Sequence, residues 1–225
     1  MKIARSGKEL LEICAAEQIS LSEYAIRQEM ELKNVSREDL FAQMKITLDA
    51  MKESATAGRE KKVYSLSGLI GGDAYRLQQC CNTGNSLMGN GIVMAMAMAI
   101  SSSEVNGAMA SGAVVELMGG TPKMSLDAAA IIFKNVLGLV CDPVAGLVEI
   151  PCAKRNVSGA INALCTADMV MAGVNSKIPF DDAVAAMYKV GTGLPEELRE
   201  TALGGCAITP TGKALQEKVF GKKEN

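Results

Sequence analysis

From Ser6 to Phe220 the apolar residues of this chain return every three or four positions. No alternating apolar and polar run is long enough to argue for a sheet, so the period predicts an all-α fold. Ser6-Gly-Lys-Glu9 is a capping-box pattern ahead of Leu10, Leu11, Cys14 and Ala15 at helical spacing. A short helix is expected over Ser22 to Leu32. Ser36 with Asp39 then opens the clearest amphipathic helix, in which Leu40, Phe41, Met44, Leu48, Met51 and Ala55 share one face. Gly58 is expected to stop that helix, and its opposite, exposed face carries the Glu and Lys residues. Residues 1–60 therefore read as an N-terminal helical segment and residues 61–225 as the main helical domain, one continuous domain being the alternative.

Residues 64–120 are rich in Gly, Ala, Met and Ser and poor in charge, a composition that lets helices approach closely while Met fills the gaps. Gly119-Gly120 ends one helix, and Thr121-Pro122 starts the next as N-cap and first helical residue, with Leu137 as its expected end. The stretch Cys141–Pro151 has two prolines and no helical period. A helix is expected over Lys154 to Ala172 with Val157, Ile161, Leu164 and Cys165 inward. Asp181-Asp182 start another, and Gly204–Gly212 form a loop before a short helix ending near Phe220.

Composition excludes several kinds of function. The chain has no histidine, which removes a His base, a Ser-His-Asp triad and a His metal ligand of its own. Lys and Arg number 23 against 25 Asp and Glu, a balance that argues against a dedicated nucleic-acid binder. The longest apolar stretch, Ile92–Ile100, has nine residues, against the roughly 20 needed to cross a bilayer. The N-terminus carries charges where a signal peptide has an apolar run. Seven scattered cysteines read as reduced thiols or metal ligands in a cytoplasmic chain.

The densest chemistry lies in Gly138-Leu-Val-Cys-Asp-Pro-Val-Ala-Gly-Leu-Val-Glu-Ile-Pro-Cys-Ala-Lys-Arg-Asn156. Cys141 and Cys152 sit on a loop stiffened by Pro143 and Pro151, a setting that suits iron–sulfur ligation. Lys154, Arg155 and Asn156 follow at a helix N-terminus, where free backbone N–H groups and two cations make a carboxylate site. The plain alternative on spacing alone is two small buried hydrophobes. Elsewhere the bland reading is preferred. Gly71-Gly72-Asp73 lacks the neighbours of a phosphate loop and reads as a turn opening a helix. Cys80-Cys81 read as buried or incidental thiols, Met94-Ala-Met-Ala-Met98 as core packing, and Arg59-Glu-Lys-Lys62 as a solvated turn.

The segment 137–156 also resembles the cluster-binding stretch of iron–sulfur-dependent L-serine dehydratase, α subunit. Ser65-Leu-Ser-Gly-Leu-Ile-Gly-Gly-Asp-Ala74, Gly84-Asn-Ser-Leu, Glu104-Val-Asn-Gly-Ala-Met109 and Glu116-Leu-Met-Gly-Gly-Thr-Pro122 resemble that family in order. So do Asp182–Tyr188, Leu198-Arg-Glu-Thr201 and Gly204-Gly-Cys-Ala-Ile-Thr-Pro-Thr-Gly212. The resemblance implies a helical domain holding a [4Fe–4S] cluster whose open iron acts on the β-hydroxyl of L-serine, giving aminoacrylate and then pyruvate and ammonia. It implies serine degradation feeding gluconeogenesis, Cys141 and Cys152 as cluster thiolates, and Lys154, Arg155, Asn156, Gly71, Gly72 and Asp73 around the substrate. It further implies a separate β subunit and an oligomer.

One departure stands out. The family's long small-residue stretch between the segments resembling Glu104–Met109 and Val115–Pro122 carries a third cluster cysteine, whereas here Met109-Ala-Ser-Gly-Ala-Val114 joins them directly. Among the other thiols Cys206 is best placed by loop context to replace it, and Cys165 is expected to face a helix core. The alternatives are an L-cysteine desulfidase-like lyase and a degenerate, non-catalytic helical subunit without a cluster.

Overall fold

The computed structural model describes residues 3–83, 96 and 106–221. Among them the fold is helical, as expected, and the only β-type pairings are isolated bridges between Tyr64 and Gly71 and between Cys141 and Arg199. The helices are α1 (Gly7–Glu17), α2 (Leu21–Lys33), α3 (Arg37–Glu60), α4 (Asp73–Asn82), α5 (Asn106–Leu117), α6 (Pro122–Asn135), α7 (Cys152–Met171), α8 (Phe180–Gly193) and α9 (Pro210–Phe220). The Gly84-Asn-Ser-Leu motif, most of Ile92–Ile100 and of the Met94–Met98 run, and Glu104-Val105 lie outside the described residues. No helix among the described residues is long and apolar enough to cross a membrane.

The chain forms two compact units. The first comprises Met1–Glu53, Gly107–Asn135 and Asn162–Ala186. Ser6 caps α1 by accepting from Glu9 N at 3.1 Å, while the Glu9 carboxylate reaches back one residue further than a capping box requires, to Arg5 N at 2.8 Å. Asp181, at the start of α8, accepts from Gly7 N (2.5 Å) and Lys8 N (3.1 Å), so two N–H groups at the start of α1 find a carboxylate on a distant helix. Ile13, Cys14 and Tyr24 close the α1–α2 corner. The main core joins Val115 of α5, Ala128 of α6 and Ala167 and Val170 of α7. A neighbouring cluster joins Ala108, Ala129 and Ile132 with Phe133 and Phe180. Each contains two buried alanines, and helix axes come close enough for Ser125 Oγ of α6 to donate to Gly112 O of α5 at 3.0 Å.

Three expectations are corrected here. Helix α3 does not stop at Gly58 but runs to Glu60, because Gly58 is buried within the helix and serves close packing instead of termination. Of its apolar face only Leu40 and Ala55 are buried, while Phe41, Met44, Leu48 and Met51 are exposed. On α7 the inward stripe is Ala163, Thr166, Ala167 and Val170, and Cys165 is exposed. The stripe is displaced because alanines, not the larger Val157, Ile161 and Leu164, allow the closest helix contact.

The second unit comprises Ser54–Asn106, Val136–Ile161 and Met187–Asn225. Helix α9 starts on Thr209, whose hydroxyl accepts from Gly212 N at 3.0 Å, with Pro210 in the first turn. It packs on two short 3-10 turns, Val144–Gly146 and Gly205–Ile208. The cysteine loop 141–151 belongs to this unit.

Candidate cysteine-loop site

Cys141 is fixed by backbone hydrogen bonds. Its N–H donates to Leu198 O at 2.9 Å and its carbonyl accepts from Glu200 N at 2.8 Å. The loop then closes on itself through Val144 N to Ile150 O at 2.8 Å. Cys152, only 1% exposed, opens α7.

Between the two thiols, Asp142 gathers the surrounding chain. It is 2% exposed. Its Oδ1 accepts from Arg155 Nη1 at 2.8 Å, and its Oδ2 accepts from Cys206 N at 2.6 Å. The same Arg155 nitrogen donates to Val140 O at 2.8 Å. Burial pushes the Asp142 carboxyl up, but the Cys206 N–H, the Cys206 thiol and Arg155 outweigh it and hold the group below the usual carboxylate range. The Cys206 thiol is correspondingly pushed up, first by its hydrogen bond to Asp142 and then by burial. Gly205 is required beside it. Its φ is +57°, and a Cβ there would run into the Asp142 carboxylate.

A second carboxylate ties the loop to the turn before α4. Glu149 accepts from Ser65 Oγ at 2.9 Å and from Ser67 Oγ. That turn is held by Ser65 N to Ile70 O and Gly72 N to Val63 O, each 2.9 Å. The Tyr64 ring covers Gly71, where any Cβ would collide with it. Gly72 precedes α4 in the left-handed region, and Asp73 is the first helical residue, so the plain reading of a turn that opens a helix describes the backbone here. Asp73 is not idle, however. Its Oδ1 accepts from Arg76 at 2.8 Å and its Oδ2 from Lys154 Nζ at 3.2 Å.

The residues expected around the substrate are only partly brought together. Lys154 and Asp73 meet as an ion pair. Arg155 is spent on Asp142 and the Val140 carbonyl. Asn156 is buried with neither its side-chain oxygen nor its nitrogen hydrogen-bonded. One expectation fails: the first N–H groups of α7 are not free. Ala153 N donates to Glu149 O at 3.2 Å, and Lys154 N donates to Pro151 O at 3.1 Å. The proline-restrained loop turns its own carbonyls onto the helix start. Asp142, Glu149, Ser65 and Ser67 were not singled out as functional from the sequence. The signal available was an Asp wedged between a thiol and a proline, which alone reads as a turn residue. Among the described residues no three Cys, His, Asp or Glu side chains converge on a single metal ion.

The model of the family "Serine dehydratase alpha chain" matches residues 16–109 and 106–207. The two matches overlap at 106–109, next to Met109–Val114, where the resemblance places the missing stretch. A probable L-serine dehydratase α chain of Bacillus subtilis is 39% identical over 287 aligned positions, covering 96% of this chain and 95% of that protein. Against a chain of 225 residues, 287 positions leave at least 62 with no residue here opposite them. An L-serine dehydratase α chain of Peptoniphilus asaccharolyticus is 31% identical over 281 positions, covering 94% and 96%. A probable α chain from Latilactobacillus sakei is 50% identical over 145 positions, covering 64% and 69%. With the family model matched along most of its length and two relatives above 30% identity spanning nearly all of it, the chain belongs to the serine dehydratase alpha chain family.

Proposed function

We propose that this chain is the α subunit of an iron–sulfur L-serine ammonia-lyase that converts L-serine to pyruvate and ammonia. Family membership and the names of its relatives support the reaction. The observation that carries the site is the start of α7, where buried Cys152 precedes Lys154, Arg155 and an Asn156 that is 5% exposed and has no hydrogen-bond partner for its amide. Leaving such a buried amide unmet costs roughly 1–3 kcal/mol, a state that persists where a ligand takes up the group.

The residues fit a cluster better than a lone ion. Each thiolate of an iron–sulfur cluster binds a different iron, so the sulfurs need not converge on one point as the ligands of a single ion must. Two thiols on one loop, an adjacent cationic turn and a third thiol tied to the same loop through Asp142 suit that demand. Cys141 and Cys152 would hold the group, and bound there a [4Fe–4S] cluster supplies a Lewis-acidic iron for the departing hydroxide.

The chain's own residues account for the rest. An α-amino acid carries a cation and an anion on one carbon, and Lys154 with Asp73 offers one opposite charge to each. Serine would exchange their mutual pair for two pairs of its own, carboxylate to Lys154 and ammonium to Asp73. Gly71 and Gly72 set the turn that delivers Asp73. Arg155, engaged by Asp142, holds the loop that presents Cys141. Residues 61–225 would carry this chemistry. With no histidine in the chain, the proton acceptor is expected from a separate β subunit in an oligomeric, cytoplasmic enzyme.

Anaerobic incubation with iron and sulfide tests the reading. We expect bound iron and inorganic sulfide with broad visible absorbance, lost in Cys152→Ser. With the β subunit added, pyruvate forms from L-serine, and Lys154→Ala raises the KM for L-serine more than it lowers kcat. A folded chain that binds no iron would be the non-catalytic subunit. Sulfide release from L-cysteine without pyruvate from L-serine would make it a desulfidase.

A further inference from the structure

In the middle of α3, residues 41 to 54 are exposed without interruption. A stretch of helix that the described residues leave this exposed is marginal in water, so it calls for a partner. Four of its five large apolar side chains share one stripe, Ile46, 71% exposed, lying on the opposite face. Phe41, Met44, Leu48 and Met51 follow one another at steps of three, four and three, and buried Ala55 and Gly58 continue the series. The four are 45%, 52%, 48% and 42% exposed. This is the period of the a and d positions of a coiled coil, and its seam is narrower than the face by which a helix lies on a core or a membrane surface.

The seam has one charged edge. In that register Lys45, whose exposed i,i+4 pair with Asp49 at 2.6 Å is worth little in water, and Lys52 occupy the e positions, and Arg59 extends the row while donating to Gln78 at 2.6 Å. The opposite edge carries the neutral Thr47 and Ser54. We propose that the seam docks an amphipathic helix of a different chain, one that carries its own apolar heptads and acidic side chains along the edge meeting Lys45 and Lys52. A second copy fits less well. Antiparallel pairing sets the lysine edges against each other, and parallel pairing sets them against Thr47 and Ser54, so neither forms an ion pair between chains. A membrane surface also fits less well, since the four basic residues of α3 face five acidic ones and an anionic lipid has no net charge to attract it. The inference does not depend on the lyase reading.

The test titrates the full chain with two labelled three-heptad peptides that have Leu at every a and d position. One carries Glu at e and g, the other Lys. We expect the Glu peptide to bind at least about tenfold more tightly at low ionic strength, with the gap closing as salt is added. Reversing the edge with K45E/K52E is expected to invert the preference. Leu48→Glu, at an exposed position that leaves the helical circular dichroism unchanged, is expected to abolish binding. Equal binding of both peptides, or binding of neither, overturns the proposal. So does self-association in light scattering that Leu48→Glu splits, or uptake onto anionic vesicles with the same Leu48 dependence.

Discussion

Asp142 shows how one buried charge can organise a loop that two prolines only stiffen. Its carboxylate joins Arg155, thirteen positions ahead in the chain, to the turn at Cys206, sixty-four positions away. Removing the charge strands a mostly buried guanidinium, and breaking a buried pair in this way costs about 3 kcal/mol or more. Asp142→Asn keeps the shape and loses the charge. We expect it to lower the melting temperature of the chain by roughly 6–12 °C. Adding Arg155→Met to that substitution is expected to recover part of the loss. A melting point within a degree of the parent would show that the pair does not hold the loop. This residue was poorly legible in the sequence. The two thiols and the following cations announced themselves by type and spacing, whereas an acid before a proline looks like any turn, and only folding brings residue 206 to it.

At the scale of elements, the starts of helices were readable and their faces were not. Ser6, the Ser36–Asp39 pair and Thr121-Pro122 act at the helix starts where they were expected, because a cap is a local bargain between a side chain and backbone within three residues; Asp181 instead serves the start of α1, far away in sequence. Which side of a helix is buried depends on which other helix arrives, and here alanines on α6 and α7 win that contact over larger neighbours. The corner between α2 and α3 carries a charge feature of its own. Hydrogen bonds from Arg37 and then Arg27 lower the Glu23 carboxyl to about 2. A carboxyl lowered in the folded state stabilises at every pH above its unfolded range near 4 and loses that contribution as pH falls toward 2. Both arginines are well exposed and Glu23 is partly so, so the effect is small and weakened by salt. Glu23→Gln is therefore expected to melt below the parent by a constant margin above pH 5. That margin should shrink to nothing by about pH 2 and be narrower in high salt throughout. A margin that grows on acidification would refute the assignment.

At the scale of the whole molecule the cluster proposed above raises a chemical question: which thiol besides Cys141 and Cys152 would serve it. The two units divide the candidates. Cys14 is packed in the core of the first unit, with its thiol pushed up by burial and then by Glu116 and Glu17. Cys165 is exposed on the part of α7 that belongs to that same unit. In the second unit, Cys81 donates to Leu77 O at 3.0 Å within its own helix, and Cys80 is exposed beside it. Cys206 alone among these five is bonded to the loop that bears Cys141, through Asp142. A metal competes with the proton for a thiol, so the raised affinity of Cys206 for its proton would weaken iron binding at that position as pH falls. We expect Cys206→Ser to lower the iron retained per chain after anaerobic reconstitution, while Cys165→Ser and Cys80→Ser leave it unchanged. Counting iron and inorganic sulfide in the three variants side by side decides the matter. Equal retention in all of them would mean that the cluster is held by Cys141 and Cys152 with a ligand from outside this chain.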